Sequence, residues 1–132
     1  MSHSSIKAIE AALAPAPVGP YNQAILANGW LYCSGQIALD PLSGEMVGKE
    51  NIEKETQQVL QNLLAVLKQA GAEIQNVVKT TIYLTDLKDF TKVNQIYADI
   101  FQKNISPARA CVEVAGLPKG AHVEIECIAW VG

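Results

Sequence analysis

The sequence predicts an α+β domain in which two helices pack on one face of a mixed β-sheet. The 132 residues are enough for one hydrophobic core, and no linker, repeat or low-complexity segment divides them, so we expect a single domain over 1–132. Two stretches repeat apolar residues at helical spacing. Six others are typical of strands, in the order β-β-β-α-β-α-β-β, of which the first is the weakest. Elements in this order form a two-layer structure.

The first part of the chain predicts three strands. The proline-rich stretch 14–20 excludes a helix, so we expect an extended lead-in with a short edge strand at 6–9. Asn28-Gly29 then lies between two apolar, aromatic-containing stretches at 21–27 and 30–36. Asn-Gly in such a context is the strongest short-range signal for a β-hairpin, which predicts two antiparallel strands.

Apolar periodicity predicts the two helices. Asn51 is a suitable N-cap for the first, acidic residues follow in its first turn, and Gly71 stops it. The second helix follows Thr85-Asp86 and ends near Asn104. The periodic positions of the first are Ile52, Thr56, Val59, Leu60, Leu63, Val66, Leu67 and Ala70, and those of the second are Leu87, Phe90, Val93, Tyr97, Ile100 and Phe101.

Three further strands are predicted at 77–84, 108–115 and 122–131, the last two joined by a turn at 116–121. The period of two along a strand places Arg109, Cys111 and Glu113 on one face of the sheet. We expect this face to point away from the helices. Glu124 and Glu126 alternate with the apolar residues of the last strand, so they are expected on the same outer face, which makes it a candidate site.

Arg109 is the only arginine in the chain, against nine lysines, and it lies in an apolar, strand-like stretch. A guanidinium offers a rigid fork of donors that matches a carboxylate or a phosphate. Arg109 is therefore expected to bind an anion. From the residues alone, a ligand and a carboxylate of the protein itself, Glu124 or Glu113, are about equally good partners, because a buried arginine must pair with something.

Composition excludes several function classes. The net charge is −3 with no densely basic stretch, which gives no electrostatic footprint for nucleic acid or anionic membranes. Three cysteines without C-x-x-C spacing predict neither a disulfide framework nor a zinc site and favour a reducing compartment. No long apolar segment or signal peptide is recognised, so we expect a cytoplasmic protein. With 49% hydrophobic and 17% charged residues, an oligomer is favoured.

The most distinctive motif runs from Pro107 to Gly120 and continues through 123–126. Four shorter elements precede it, namely Gly19-Pro20-Tyr21, Ser34-Gly35-Gln36, Val78-Lys79-Thr80-Thr81 and Val93-Asn94 with Tyr97. Together these elements resemble the RidA (YjgF) family of reactive-intermediate deaminases, over nearly the whole chain beyond the first dozen residues. Ala38 and His122 are peripheral departures from the family pattern.

The resemblance implies a chorismate-mutase-like fold assembled as a homotrimer with clefts between subunits, and no membrane partner. It implies a hydrolase that converts reactive 2-imino acids and their enamine tautomers, namely 2-aminoacrylate, 2-iminopropanoate and 2-iminobutanoate, to 2-keto acids plus ammonia. These intermediates leak from pyridoxal-phosphate-dependent dehydratases and damage other such enzymes. No metal or organic cofactor is implied.

The resemblance also implies the site residues. Arg109 would bind the substrate carboxylate, and Glu124 would position the attacking water and transfer protons. Cys111 would line the cleft, and Asn94 would border it. The other wall would come from Tyr21, Ser34 and Gly35, with Gly35 letting the backbone approach the substrate.

Two other functions remain open. Some relatives are described as endoribonucleases or translation inhibitors, although the acidic charge balance argues against tight RNA binding. A non-catalytic trimer that only binds small acids is the third possibility. Cys111 is expected to line the site rather than act as a nucleophile, because no histidine with an obvious catalytic placement accompanies it.

Overall fold

The computed structural model describes residues 6–103 and 105–132, in which six strands form one sheet with two α-helices on one face. The strands are β1 (Ile6–Ile9), β2 (Ala24–Ala27), β3 (Trp30–Gln36), β4 (Val77–Leu84), β5 (Ala108–Glu113) and β6 (Val123–Trp130), and the helices are α1 (Ile52–Gln69) and α2 (Phe90–Phe101). The predicted fold class and the predicted order of elements are confirmed.

The sheet has the strand order β1-β2-β3-β6-β4-β5. β4 and β5 are parallel because α2 crosses over between them, whereas all other neighbouring strands are antiparallel. The sheet is therefore mixed, as predicted. The crossover leaves β5 at an edge, and this position decides the surroundings of Arg109.

The local signals in the sequence account for these elements. Asn28 and Gly29 both adopt positive φ, 52° and 84°, which a tight hairpin turn requires. The side chain of Asn51 accepts the N–H of Lys54 at 3.0 Å and so caps α1. Gly71 follows the end of α1 with a φ of 77°, a conformation that glycine adopts without strain.

Some boundaries differ from the prediction. β2 begins at Ala24 rather than 21, because its ladder with β1 ends there and the side chain of Gln23 bonds the backbone of Ala11 instead. A 3-10 turn at 87–89 precedes α2, which starts at Phe90. The predicted end of the second helix near Asn104 lies outside the described residues.

The core lies between the sheet and the helices. Val59, Leu63 and Val66 of α1 are at most 1% exposed, and they belong to the same buried cluster as Leu31 and Ile125 of the sheet. Burial of each such side chain contributes about 1.5–3 kcal/mol, so the apolar stripe of α1 is what holds the helix on the sheet. The predicted packing of this helix on the sheet is confirmed.

The predicted orientation of β5 is wrong. Arg109 and Cys111 pair with Thr80 and Ile82 of β4, which are buried beneath the helices. Paired residues share a face, so Arg109, Cys111 and Glu113 lie on the helix side of the sheet. At an edge strand that the helices only partly cover, both faces are exposed, so alternation of apolar and polar residues does not identify the helix side.

The predicted orientation of the last strand is confirmed. Val123, Ile125 and Cys127 are buried on the helix side, whereas Glu124 and Glu126 lie opposite Tyr83 and Thr81 on the other side, which we call the open face. Arg109 and Glu124 of one chain therefore lie on opposite faces of the sheet.

Candidate functional site

Arg109 lies at the outer edge of the sheet and is held by α2. Its Nη1 donates to Oδ1 of Asn94 at 2.6 Å. The guanidinium carbon lies 4.9 Å from the ring centroid of Tyr97 and 5.6 Å from that of Phe90, within the range of cation–π attraction. One polar and two aromatic contacts thus fix the guanidinium while its side chain remains exposed.

The platform beneath Arg109 is itself anchored. The hydroxyl of Tyr97 shares a hydrogen bond of 2.7 Å with Oγ1 of the fully buried Thr80, and its ring stacks on Phe101. Burial raises the pKa of Tyr97, against the opposing effects of Thr80 and the Arg109 charge, so the phenol stays neutral. Arg109 therefore rests on a rigid surface.

Arg109 has no carboxylate partner among residues 6–103 and 105–132. The carboxylate of Glu113 instead accepts the N–H of Leu87 at 2.9 Å, and Glu124 is on the other face. Among the described residues, Arg109 therefore forms no internal ion pair, which was one of the two alternatives for its partner. An unpaired guanidinium next to a concave surface formed with Asn94 and Tyr97 is suited to an anionic ligand.

Cys111 lies two residues beyond Arg109 on the same face and is partly buried. Burial raises the pKa of its thiol, although the neighbouring Arg109 charge partly opposes this effect. The thiolate is the nucleophilic form, so the raised pKa favours a lining role for Cys111 over a nucleophilic one.

Glu124 borders a second concavity on the open face. This recess lies between the lead-in segment 15–18 with Tyr21 and the segment 35–39, and Pro118 closes one end. Burial, and secondarily the charge of Glu126, raise the pKa of the Glu124 carboxyl. A raised pKa makes this carboxylate a stronger base, which suits a group that accepts a proton from water and later returns it.

A β-bulge brings Gly35 against Glu124. The β3–β6 ladder passes from the pair Cys33 and Cys127 to the pair Gln36 and Ile125, so two residues oppose one. A Cβ on Gly35 would lie 2.7 Å from Cδ of Glu124 and 2.9 Å from its Cγ. Glycine at this position is therefore what admits the carboxylate to the recess.

Tyr21 lines the recess, and Ser34 lies beside it, directly before Gly35 in the bulge. Oγ of Ser34 donates to the carbonyl of Asn22 at 2.6 Å, which holds the loop of Tyr21 against the bulge. The hydroxyl of Tyr21 accepts the N–H of Val18 at 3.2 Å and so closes the lead-in segment over the recess. The structure thus brings Tyr21, Ser34, Gly35 and Glu124 into one group, the Glu124 recess, and Arg109, Asn94 and Cys111 into another, the Arg109 edge.

Two residues in contact with these groups, Phe90 and Tyr83, were not identified as site residues from the sequence. Phe90 was expected only as a core position of a helix, although Phe90, Asn94 and Tyr97 follow the i, i+4, i+7 spacing of one helix face. That spacing could have shown that the polar Asn94 shares a face with two aromatic rings. Tyr83, the partner of Glu124 across the strands, was not identified; burial and both nearby glutamates raise its pKa.

The open face exposes large aromatic side chains. Tyr32 is 49% exposed, Trp130 44% and Trp30 39%, and the two tryptophan rings lie 4.8 Å apart. An exposed aromatic patch of this kind marks an interaction surface.

In the described part of the chain, no three histidine, cysteine, aspartate or glutamate side chains are grouped so that they could hold a metal ion. Within the same residues, neither helix has the length and apolar character that a membrane span requires.

The chain is similar to known proteins over nearly its whole length. The family described as Endoribonuclease L-PSP matches residues 11–131. A RutC family protein of Synechocystis is 56% identical over 95% of this chain and 96% of its own length. Human 2-iminobutanoate/2-iminopropanoate deaminase is 46% identical over the whole chain and 95% of its own length. The crystal structure of a Rid family protein from Yersinia pestis superposes with a TM-score of 0.92 at 53% identity, covering 96% of this chain and 99% of that one.

Proposed function

Because this chain belongs to the RidA (YjgF) family of reactive-intermediate deaminases, we propose that it hydrolyses 2-imino acids to 2-keto acids and ammonia. The proposed substrates are 2-iminopropanoate, 2-iminobutanoate and the enamine 2-aminoacrylate. All combine a carboxylate with an electrophilic C=N carbon or its tautomer. The cytoplasm is the proposed location, in keeping with three free cysteines.

The observation that carries this proposal is the exposed Arg109, held by Asn94 and two aromatic rings with no carboxylate partner in the described residues. The fork of a guanidinium bonds a carboxylate with two parallel hydrogen bonds. An arginine that is already oriented loses little freedom on binding, which favours affinity for a small acid.

The catalytic cleft is proposed to form between copies of the chain. Arg109 and Glu124 lie on opposite faces of one sheet, so the substrate carboxylate and the water cannot be held by the same chain at once. A homotrimer in which the Arg109 edge of one copy meets the Glu124 recess of the next would complete three clefts. The exposed Trp30, Tyr32 and Trp130 of the open face support such an assembly.

Hydrolysis requires little covalent assistance, because the imine carbon is already electrophilic. Glu124 accepts a proton from water as its oxygen adds to the C=N carbon, and the electron pair of the C=N bond moves to nitrogen, which takes up a proton. The resulting carbinolamine loses ammonia as the C=O bond forms. 2-Aminoacrylate first gains a proton at its methylene carbon and loses one from its nitrogen, which gives the imine. The raised pKa of Glu124 suits both directions of transfer.

The test is the turnover of 2-aminoacrylate, generated by a dehydratase, in Arg109→Ala protein. We expect keto-acid release above the spontaneous rate to fall by about 10² to 10⁴-fold, since positioning contributes at this scale. Lys92→Ala removes a positive charge from an exposed position of α2, the helix that holds Arg109, and serves as the matched control. Near-normal turnover in Arg109→Ala would contradict the assignment.

The description of the matching family favours endoribonuclease activity as a second candidate. The net charge of −3 weakens it, because RNA affinity depends on neutralising phosphates. If the highly purified protein cleaves RNA and cleavage disappears in Arg109→Ala, the second candidate is correct. Saturable binding of keto acids without ammonia release would instead indicate a non-catalytic binding protein.

A further inference from the structure

Glu55 is a fully buried carboxylate on the inner face of α1, with 0% of its surface exposed. Its Oε2 accepts the N–H of His122 at 2.7 Å and that of Val123 at 3.3 Å. Its Oε1 lies 2.9 Å from Nδ1 of His122. A buried carboxylate is stable only with such donors, so Glu55 and the backbone at 122–123 hold each other in place across 67 positions of sequence.

The two residues that Glu55 bonds immediately precede Glu124. The ladder from β3 reaches β6 only as far as Ile125, so the first two residues of that strand are not paired with β3. Glu124 is the next residue along the strand, only about 3.3 Å further on, so a shift of the backbone at 122–123 also moves the carboxylate of Glu124. Glu55 thus supports the backbone at the point where that pairing ends.

Asn62 lies two turns further along the same face of α1 and bonds the segment 35–39, which lines the recess. Its Nδ2 donates to the carbonyls of Ile37 at 3.0 Å and Leu39 at 2.9 Å, both of which line the recess. Its Oδ1 accepts from Nε2 of Gln58 at 2.9 Å, which fixes the orientation of the amide. One helix therefore offers an acceptor to the backbone next to Glu124 and a donor to the neighbouring segment 35–39.

We propose that Glu55 is a positioning residue for Glu124 and that Glu55 and Asn62 together fix the backbone next to Glu124 relative to the segment 35–39 of the recess. The role in catalysis rests on the proposed function. Seven residues of helix separate the two side chains by about 10 Å along the axis, a rigid spacing that loops could not provide. His122 adds a side-chain contact to the same carboxylate.

The test compares Glu55→Ala with Glu55→Gln and with the control Val59→Ala. Val59 is fully buried one turn along α1, so its truncation destabilises the same helix without touching 122–123. We expect Glu55→Ala to lower kcat by about tenfold to a hundredfold with KM within about twofold, because a small misplacement of a catalytic group has this effect. Glu55→Gln keeps an acceptor for the backbone and should retain kcat within about threefold.

A second readout is amide hydrogen exchange at 122–124, which does not depend on turnover. Glu55→Ala should lose protection there, whereas Val59→Ala should keep it relative to the rest of β6. If Glu55→Ala does not fold, Glu55→Asp, which draws the carboxylate back by one methylene, carries the same expectation with a smaller loss.

Equal losses of kcat in Glu55→Ala and Val59→Ala at matched thermal stability would overturn the positioning role, as would unchanged kcat in Glu55→Ala. Failure of the proposed function gives a different result, namely wild-type protein without turnover. In that case the exchange data still decide whether Glu55 holds 122–123, and unchanged protection would overturn that claim.

Discussion

The Arg109 edge and the Glu124 recess are held in place by different means. At the Arg109 edge, side chains of one helix, Asn94 and Tyr97, hold an exposed guanidinium 12 to 15 residues away in sequence. At the Glu124 recess, backbone segments distant in sequence surround a half-buried carboxylate, and buried polar groups of α1 hold those segments. Changes at the first should therefore act through the binding and positioning of the substrate with little loss of stability, whereas changes at the second should affect both chemistry and stability.

The largest expected effect comes from Glu124→Gln. The amide cannot accept a proton from water, so kcat should fall by about 10² to 10⁴-fold. Binding of a small keto acid to the Arg109 edge should change little, and isothermal titration checks this directly. Equal losses in turnover and binding would mean that Glu124 is an architectural partner of Arg109, and the distinction between the two regions would fail.

Gly35→Ala should damage the recess next most severely. Its methyl group would overlap the Glu124 carboxylate, and overpacking of this kind costs about 1–3 kcal/mol. We expect a lower Tm by calorimetry together with a lower kcat. Gly44→Ala, at a loop glycine with no atoms within 4 Å of the added methyl, controls for the loss of a glycine, although it adds some backbone strain at its φ of 71°. A fully active Gly35→Ala protein would show that Glu124 need not occupy this position.

Asn94→Ala tests the other region. Hydrogen bonds to charged groups contribute about 1.5–3 kcal/mol, and exposure places this bond to Arg109 at the lower end of that range. Its loss should therefore raise KM by about tenfold. The Tm should change by less than in Gly35→Ala. A variant with normal KM and a large stability loss would reverse the contrast between the two regions.

The dependence of kcat on pH should report on Glu124. Its pKa is raised, so the rate falls as the pH falls through that value and the carboxyl becomes protonated. Glu126→Gln removes a charge that contributes to the raised pKa, so the acidic limb should move to lower pH. Tyr83→Phe, which changes the facing residue without removing a charge, is the control. An unmoved limb in Glu126→Gln would show that another group controls it.

The smallest effect is expected from Cys111→Ser. The thiol has a raised pKa and no described role beyond lining the Arg109 edge, so most of the activity should remain. Steady-state turnover with 2-aminoacrylate measures this. Complete loss would revive a nucleophilic role for the cysteine.

The same contrast explains what the sequence could predict. The hairpin at Asn28-Gly29 and helix α1 follow from signals within a few residues, and both are confirmed. Arg109 as an anion binder and the face that carries Glu124 were inferred from the residues, whereas the other candidate site residues came from resemblance, and all their roles remain predictions. Asn94 shares one face of α2 with Phe90 and Tyr97, so helical spacing could have indicated that it lies with them beneath Arg109.

Long-range features could not be predicted. The bonds of Glu55 to 122–123 and of Asn62 to Ile37 join segments 67 and 25 positions apart, and no periodicity encodes them. The wrong orientation of β5 has a related cause. Its helix side is set by pairing with β4, which the alternation within an exposed edge strand does not report.

The central claim is that one chain supplies Arg109 and another supplies Glu124 to the same cleft, and mixing of two inactive variants tests it most directly. Arg109→Ala and Glu124→Gln proteins are unfolded, mixed in equal amounts and refolded together. Random assembly should give about a quarter of wild-type turnover, because one cleft in four then receives both intact residues. If each cleft used both residues of a single chain, the mixture would be as inactive as either variant alone, and that result would contradict the account.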